Sequence, residues 1–161
     1  TGLYNRKILT PALEQRLQQL VNTGTLVTFI AIDCDKLKVI NDTLGHKEGD
    51  RIITHLAKAI QSSIRKSDYA IRLGGDEFLI IGPALESPEQ EAFIAHLRQQ
   101  LTGRYRLAGY GIEYPGASFG VIDVDPQNMD VEQALRAADE AMYHDKNARR
   151  MLTIFDIDQK A

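Results

Sequence analysis

The chain has 161 residues, 43% hydrophobic and 25% charged, the proportions of an ordinary folded domain able to bury its own core. Its 19 Lys and Arg against 22 Asp and Glu give a formal charge of −3. That balance argues against a sequence-independent nucleic-acid binder, which carries a basic surplus, and leaves room for a small phosphorylated ligand held by a few cations. No apolar run nears the roughly 20 residues needed to cross a bilayer, and the polar opening Thr1–Lys7 is no signal peptide, so no membrane contact is expected. The single cysteine, Cys34, makes no internal disulfide, which suits a reducing cytosol. No repeat, low-complexity tract or linker interrupts the sequence, and one domain over 1–161 is expected.

In chain order, Pro11 followed by Leu13, Leu17 and Leu20 predicts a first helix with one apolar stripe. Leu26–Ile32 is apolar, partly β-branched and too short for a core helix, hence a buried strand. A polar stretch from Asp33 to Asp50 follows, and Ile53, Leu56, Ile60 and Ile64 then mark the inner face of a helix. The runs Tyr69–Arg72 and Phe78–Ile81 flank Leu73–Glu77 and read as a β-hairpin with a Gly-Gly turn. Ser87-Pro88-Glu89-Gln90 predicts a capping box opening a helix with Phe93, Leu97 and Leu101 on its stripe. Ala117–Val124 is the next strand, Asp130 caps a helix with Leu135, Ala138 and Met142 inside, and Met151–Phe155 closes as a strand. Interleaved strands and helices with one forced antiparallel pair predict an α/β (α+β) sandwich: a mixed, largely antiparallel sheet flanked by helices, of the ferredoxin-like kind.

Two acidic clusters carry the chemistry. Asp33-Cys34-Asp35 ends the buried strand, and Asp76-Glu77 occupies the hairpin tip. If those strands are neighbours, the carboxylates converge on one edge, where a hard cation such as Mg²⁺ relieves their repulsion. Solvated turn acids are the plainer reading. Gly74-Gly75 either makes a turn or lets a phosphate approach a backbone without Cβ atoms. Lys38, Asn41, His46 and Asp50 lie in the polar stretch, where an Asp and an Asn together can read a guanine edge. Equally, Asp50 can cap the following helix, Asn41-Asp42 can be a turn and His46 an ordinary helix-start residue. Lys146, Arg149 and Arg150 sit at a helix end, where cations favour the macrodipole or meet a triphosphate.

The segment Leu73-Gly74-Gly75-Asp76-Glu77-Phe78 resembles the signature of the GGDEF-domain family, the bacterial diguanylate cyclases. The likeness extends over most of the chain. Thr1–Arg6 is similar to the family's TGLxNR opening, and Asp33–Asp42 with Gly45-His46 and Gly49-Asp50 to its DxDxFKxxND…GHxxGD block. Ala117–Val121 resembles its SxGV strand and Ala138–Lys146 its ADxALYxAK helix.

What the resemblance implies is the GGDEF fold and a Mg²⁺-dependent (or Mn²⁺-dependent) condensation of two GTP into cyclic di-GMP, with release of two pyrophosphates. It assigns the metal to Asp33, Asp76, the backbone carbonyl of Cys34 and Glu77. Deprotonation of the attacking hydroxyl falls to Asp76, and the guanine to Asn41 and Asp50 with His46 near the nucleotide. Lys38, Lys146 and Arg150 neutralise the triphosphate. Two such domains must face each other as a homodimer. Arg65-Lys66-Ser67-Asp68, with five residues between Asp68 and Gly74, matches the spacing of the family's RxxD site, where cyclic di-GMP binds and inhibits; a plain surface ion pair is the alternative.

The sequence departs from the family pattern in four places. Leu37 stands where Phe is usual, Arg149 where Gly is usual, and Asp145 where a small residue is usual, so a weakened hold of Lys146 on phosphate is expected. The opening on Thr1 suggests a catalytic domain cut from a longer sensor, in the cytoplasm. A receptor that has lost turnover is expected to carry a degraded signature, and the intact Gly74–Phe78 favours the enzyme.

Overall fold

A computed structural model describes residues 4–5, 15, 19, 25–107, 109–125, 127–128, 130–146 and 152–156. The strands are β1 (Tyr4–Asn5), β2 (Val27–Cys34), β3 (Tyr69–Gly74), β4 (Glu77–Pro83), β5 (Gly103–Leu107), β6 (Tyr110–Tyr114), β7 (Ala117–Val124) and β8 (Thr153–Asp156). The helices are α1 (Leu37–Leu44), α2 (His46–Ser63), α3 (Ser87–Leu101) and α4 (Val131–Lys146). The apolar positions expected for the first helix, Leu13, Leu17 and Leu20, lie outside the described residues.

The main sheet runs β1-β3-β4-β2-β7. Only β1 on β3 is parallel; β2 pairs antiparallel with both β4 and β7, and β3 with β4. Within it, β2-helix-β3-β4-helix-β7 is the split arrangement expected of a ferredoxin-like fold. β2 is buried along its whole length because it is central and covered on both faces, which is why its sequence reads as a continuous apolar run. Its even-numbered residues Ile30, Ile32 and Cys34 join one cluster with Ile40 of α1, Ile52, Ile53 and Leu56 of α2, and Leu97 of α3. Its odd-numbered residues Val27, Phe29 and Ala31 join a second with Ala134, Ala138 and Met142 of α4. Side chains alternate faces along a strand, so Asp33 continues the row that looks toward α4.

A second sheet, β5-β6-β8, had no sequence expectation for its first two strands, and it takes the closing strand away from the main sheet. It packs through Ile112 and Tyr114 onto the α1–α3 side of the core. The capping box expected at Ser87 does not form. The helix N-cap is Glu86, without a side-chain cap bond, and the Gln90 amide donates instead to Asp123 at 3.0 Å across to β7. At Asp130 the expected cap is present: Gln133 N–H donates to Asp130 Oδ1 at 2.8 Å, and Gln133 Oε1 accepts from Asp130 N–H at 3.0 Å.

One glycine sets how closely α4 approaches the sheet. A Cβ on Gly120 of β7 would lie 2.0 Å from the Ala138 carbonyl oxygen and 2.4 Å from the Met142 nitrogen, both backbone atoms of α4. Gly120→Ala is therefore expected to destabilise the fold by about 1–3 kcal/mol. Denaturant unfolding of the two proteins checks this, and unchanged stability would mean that α4 sits farther out.

Candidate active site

The end of β2 and the tip of the β3–β4 hairpin meet. Asp33 pairs with Glu77 in the β2–β4 register, and one residue later Cys34 N–H donates to the Asp76 carbonyl at 2.9 Å. The two acidic clusters thus converge as the sequence predicts. Lys146, in the last turn of α4, completes the group by donating from Nζ to Asp33 Oδ2 at 2.6 Å. The other oxygen, Asp33 Oδ1, is buried with no hydrogen-bond partner. Asp33 is 5% exposed, and burial is the main cause that pushes its pKa up to about 6. The Lys146 ammonium opposes that rise, and the Asp76 carboxylate adds to it. Lys146 in turn is raised above the ordinary lysine value, chiefly by its hydrogen bond to Asp33.

This donor set suits a hard divalent cation. A buried bare carboxylate oxygen beside a second carboxylate is the arrangement positive charge stabilises, and an ammonium already sits on the neighbouring oxygen. Among the described residues no three His, Cys, Asp or Glu side chains could enclose an ion by themselves. Mg²⁺ commonly binds through one or two carboxylates, with water and substrate phosphates filling its shell. The Cys34 thiol belongs to the core on the other face, and burial followed by the nearby carboxylates holds its pKa well above the usual thiol value.

Gly74 and Gly75 are exposed; Gly75 and Asp76 make the hairpin turn, and neither glycine adopts the left-handed φ that would by itself demand glycine. A Cβ at either would meet nothing within 4 Å, so the backbone here borders open space that a ligand can enter. The residue in the left-handed region is Lys36, at φ 59° and ψ 19°, where β2 turns into α1. The first part of the polar stretch after Asp33 folds as this helix, with Leu37 and Ile40 buried and Lys38 exposed. That removes the turn reading for Asn41-Asp42. Asp50 lies well inside α2 rather than at its cap, and His46 is the first residue of that helix. Asn41 lies against Gly49, the residue before Asp50: a Cβ there would lie 1.7 Å from Asn41 Oδ1, so only glycine lets α1 lay its amide over this turn of α2.

The Asp145 carboxylate accepts from Arg98 at 2.8 Å and from the Phe119 N–H at 2.7 Å, tying α3 and α4 to β7. Arg149 and Arg150 lie outside the described residues. At the RxxD tetrapeptide, Arg65 holds Asp68 through both carboxylate oxygens, at 3.1 and 2.8 Å, and donates to the Pro83 carbonyl at 2.7 Å. Sequence reasoning assigned no role to Gly49, Gly120 or Ser118. All three stand in the motif blocks, but the partners of Gly120 and Ser118 belong to other segments of the chain.

The raised pKa of Asp33 has a consequence for stability. A carboxyl that titrates higher when folded holds its proton better in the native state than in the unfolded chain. That stabilisation is full below about pH 4 and is lost as pH rises through 6. Asp33→Asn mimics the protonated form. It is expected to match the parent near pH 4 and to be more stable by about 1–3 kcal/mol near pH 7.5. Thermal melts of metal-free protein at the two pH values check this, and a loss at pH 7.5 would contradict it.

Comparison with known proteins gives the family and the fold. The family described as diguanylate cyclase, GGDEF domain, matches residues 1–152. A probable diguanylate cyclase of Escherichia coli K12, DgcJ, is 79% identical over 80 residues, which is 50% of this chain and 16% of that protein. The diguanylate cyclase DgcP of the same organism is 35% identical over 152 residues, 93% of this chain and 44% of that protein. The chain thus spans less than half the length of either relative. The crystal structure of the GGDEF domain of DgcB from Caulobacter crescentus, in complex with c-di-GMP, superposes with a TM-score of 0.83 at 26% identity, covering 93% of this chain and 89% of that one. Fold, signature and family match converge, and the chain belongs to the diguanylate cyclase GGDEF-domain family.

Proposed function

We propose that residues 1–161 form one catalytic domain that joins two molecules of GTP into cyclic di-GMP. The observation that carries this reading is the meeting of Asp33, Asp76 and Lys146 at the β2 end, with Asp33 Oδ1 bare. In the reaction the 3′-hydroxyl oxygen of one GTP attacks the α-phosphorus of the other, the bond to the β,γ-pyrophosphate breaks, and the hydroxyl proton leaves. Repeating this in the opposite sense closes the ring and releases the second pyrophosphate. Each domain holds one GTP, so two copies face each other as a homodimer.

Asp33, Asp76, the Cys34 carbonyl and Glu77 would hold Mg²⁺ or Mn²⁺. The ion supplies charge stabilisation at the α-phosphate and the leaving pyrophosphate and acidifies the attacking hydroxyl. Asp76 would accept the hydroxyl proton. The open backbone at Gly74 and Gly75 admits the phosphates, which Lys38, Lys146 and Arg150 neutralise. Asn41 and Asp50 read the guanine, with His46 beside the nucleotide. Adenine lacks the amino group that Asp50 accepts and would leave it unpaired, at a cost of about 1–3 kcal/mol. No described helix is long and apolar enough to cross a membrane, and the reading places this domain in the cytoplasm with its GTP.

Arg65 and Asp68 would bind a guanine of the product and inhibit the domain. Arg65 projects from the strand-entry turn ahead of β3, the strand that leads to the signature. Inhibition requires that bound product favour an unproductive arrangement of two domains over the productive one.

The test is incubation with GTP and Mg²⁺ and chromatography of the product. Cyclic di-GMP is expected from the parent, its formation falling at least about 100-fold in Asp76→Asn. No product from the parent, or full activity in the variant, would overturn the reading. In the same assay Arg65→Ala is expected to keep the initial rate and accumulate product past the parent's plateau. Coincident progress curves would remove the inhibitory site.

A further inference from the structure

Beside the proposed metal carboxylates lies an acid with no part in the reaction as described. Asp35 is 6% exposed, and Ser118 Oγ donates to its Oδ1 at 2.6 Å. Ser118 is fully buried and stands directly across from Asp33 in the β2–β7 register. Asp35 N–H donates to the Gly116 carbonyl at 3.0 Å, prolonging the β2–β7 ladder past the end of β2. The next residue, Lys36, takes the left-handed conformation that starts α1. Burying a carboxylate among other carboxylates is costly, and a polar group so placed persists where it fixes a local geometry.

We propose that Asp35, gripped by Ser118, is a positioning residue for the site formed by Asp33, Cys34 and Asp76. The inference rests on the reading of that site as the metal and phosphate centre. The grip does two things. It pins the chain on the C-terminal side of Cys34, while the Cys34 N–H bond to Asp76 fixes the other, so the intervening carbonyl cannot swing. It also directs the one hydroxyl proton of Ser118 to Asp35. Asp33, though directly opposite Ser118, keeps Oδ1 as a bare acceptor. Groups that orient metal ligands in this way typically change metal affinity or activity by about 10- to 100-fold when lost.

The substitutions separate orientation from charge. Asp35→Asn keeps an oxygen that accepts from Ser118, whereas Asp35→Ala and Ser118→Ala break the bond. Three quantities are read on the parent and each variant: Mn²⁺ affinity by electron paramagnetic resonance without nucleotide, kcat and KM for GTP, and the melting temperature of the metal-free protein. The proposal expects Mn²⁺ affinity and kcat to fall about 10-fold or more in both Ala variants, with KM within about threefold of the parent. It expects Asp35→Asn to stay within about threefold throughout and to melt no lower than the parent.

An Asp35→Asn as defective as Asp35→Ala would show that charge rather than position matters, and would overturn the proposal. So would Ala variants with unchanged Mn²⁺ affinity, or losses of activity that merely follow losses in melting temperature. A parent that binds Mn²⁺ but leaves GTP intact would overturn the proposed reaction alone, and the Mn²⁺ comparison would still decide the role of Asp35. A parent that binds no Mn²⁺ yet makes cyclic di-GMP would overturn the proposal alone, and one that neither binds Mn²⁺ nor turns GTP over would overturn both.

Discussion

A carboxylate with one oxygen on an ammonium and the other bare, buried at the end of a central strand, is the constraint around which this chain is arranged. Asp33 arrives there because β2 is covered on both faces and leaves its last odd-numbered side chain facing α4. Asp76 arrives because the hairpin pairs back onto β2. Lys146 arrives because Gly120 lets α4 pack on β7 without a Cβ between them. Each approach is set by packing far from the charges, so the site is held by the core rather than by its own attractions. Left to themselves, Asp33 and Asp76 would separate.

Such a site works against stability, as preorganised sites commonly do. At neutral pH the chain keeps a carboxylate where burial favours its protonated form. Lys146 offsets part of that cost, but it is half-exposed and engages only one oxygen. A cation entering beside Oδ1 would relieve the remainder, so binding and folding would reinforce each other. The same logic accounts for Asp145. Its charge is taken up by Arg98 and by an edge N–H of β7, where it joins layers instead of adding to the crowded cluster.

The legible parts of the sequence were those whose pattern has a single physical cause. The apolar run of β2, the apolar hairpin strands and most of the inner stripes of α2 and α4 report burial and were found in place, whereas Leu26 is exposed ahead of β2 and Ile64 follows the end of α2. Helix α1 was hidden because Leu37, Ile40 and Leu44 are spaced among the polar residues Lys38, Asn41 and Asp42. The strands β5 and β6 mix Arg, Glu and Tyr with a few apolar residues, since their sheet packs by one face only. The cap at Ser87 misled because Gln90 has a better partner in Asp123, which no local pattern records. The site residues were named through the family signature. Their contacts, and the roles of Gly120 and Ser118, depend on pairings between distant segments, and the role of Gly49 on how α1 folds against α2, so they became readable only in the fold.

The central claim is that Asp33 is a buried carboxylate short of positive charge, and its own titration reports this most directly. Carbon-13 NMR of the Asp33 carboxyl in metal-free protein, assigned by comparison with Asp33→Asn, gives the midpoint in the parent and in Lys146→Met. The account predicts a midpoint near 6 in the parent and a higher one once the ammonium is removed. A midpoint close to the ordinary aspartate value in both proteins would contradict it.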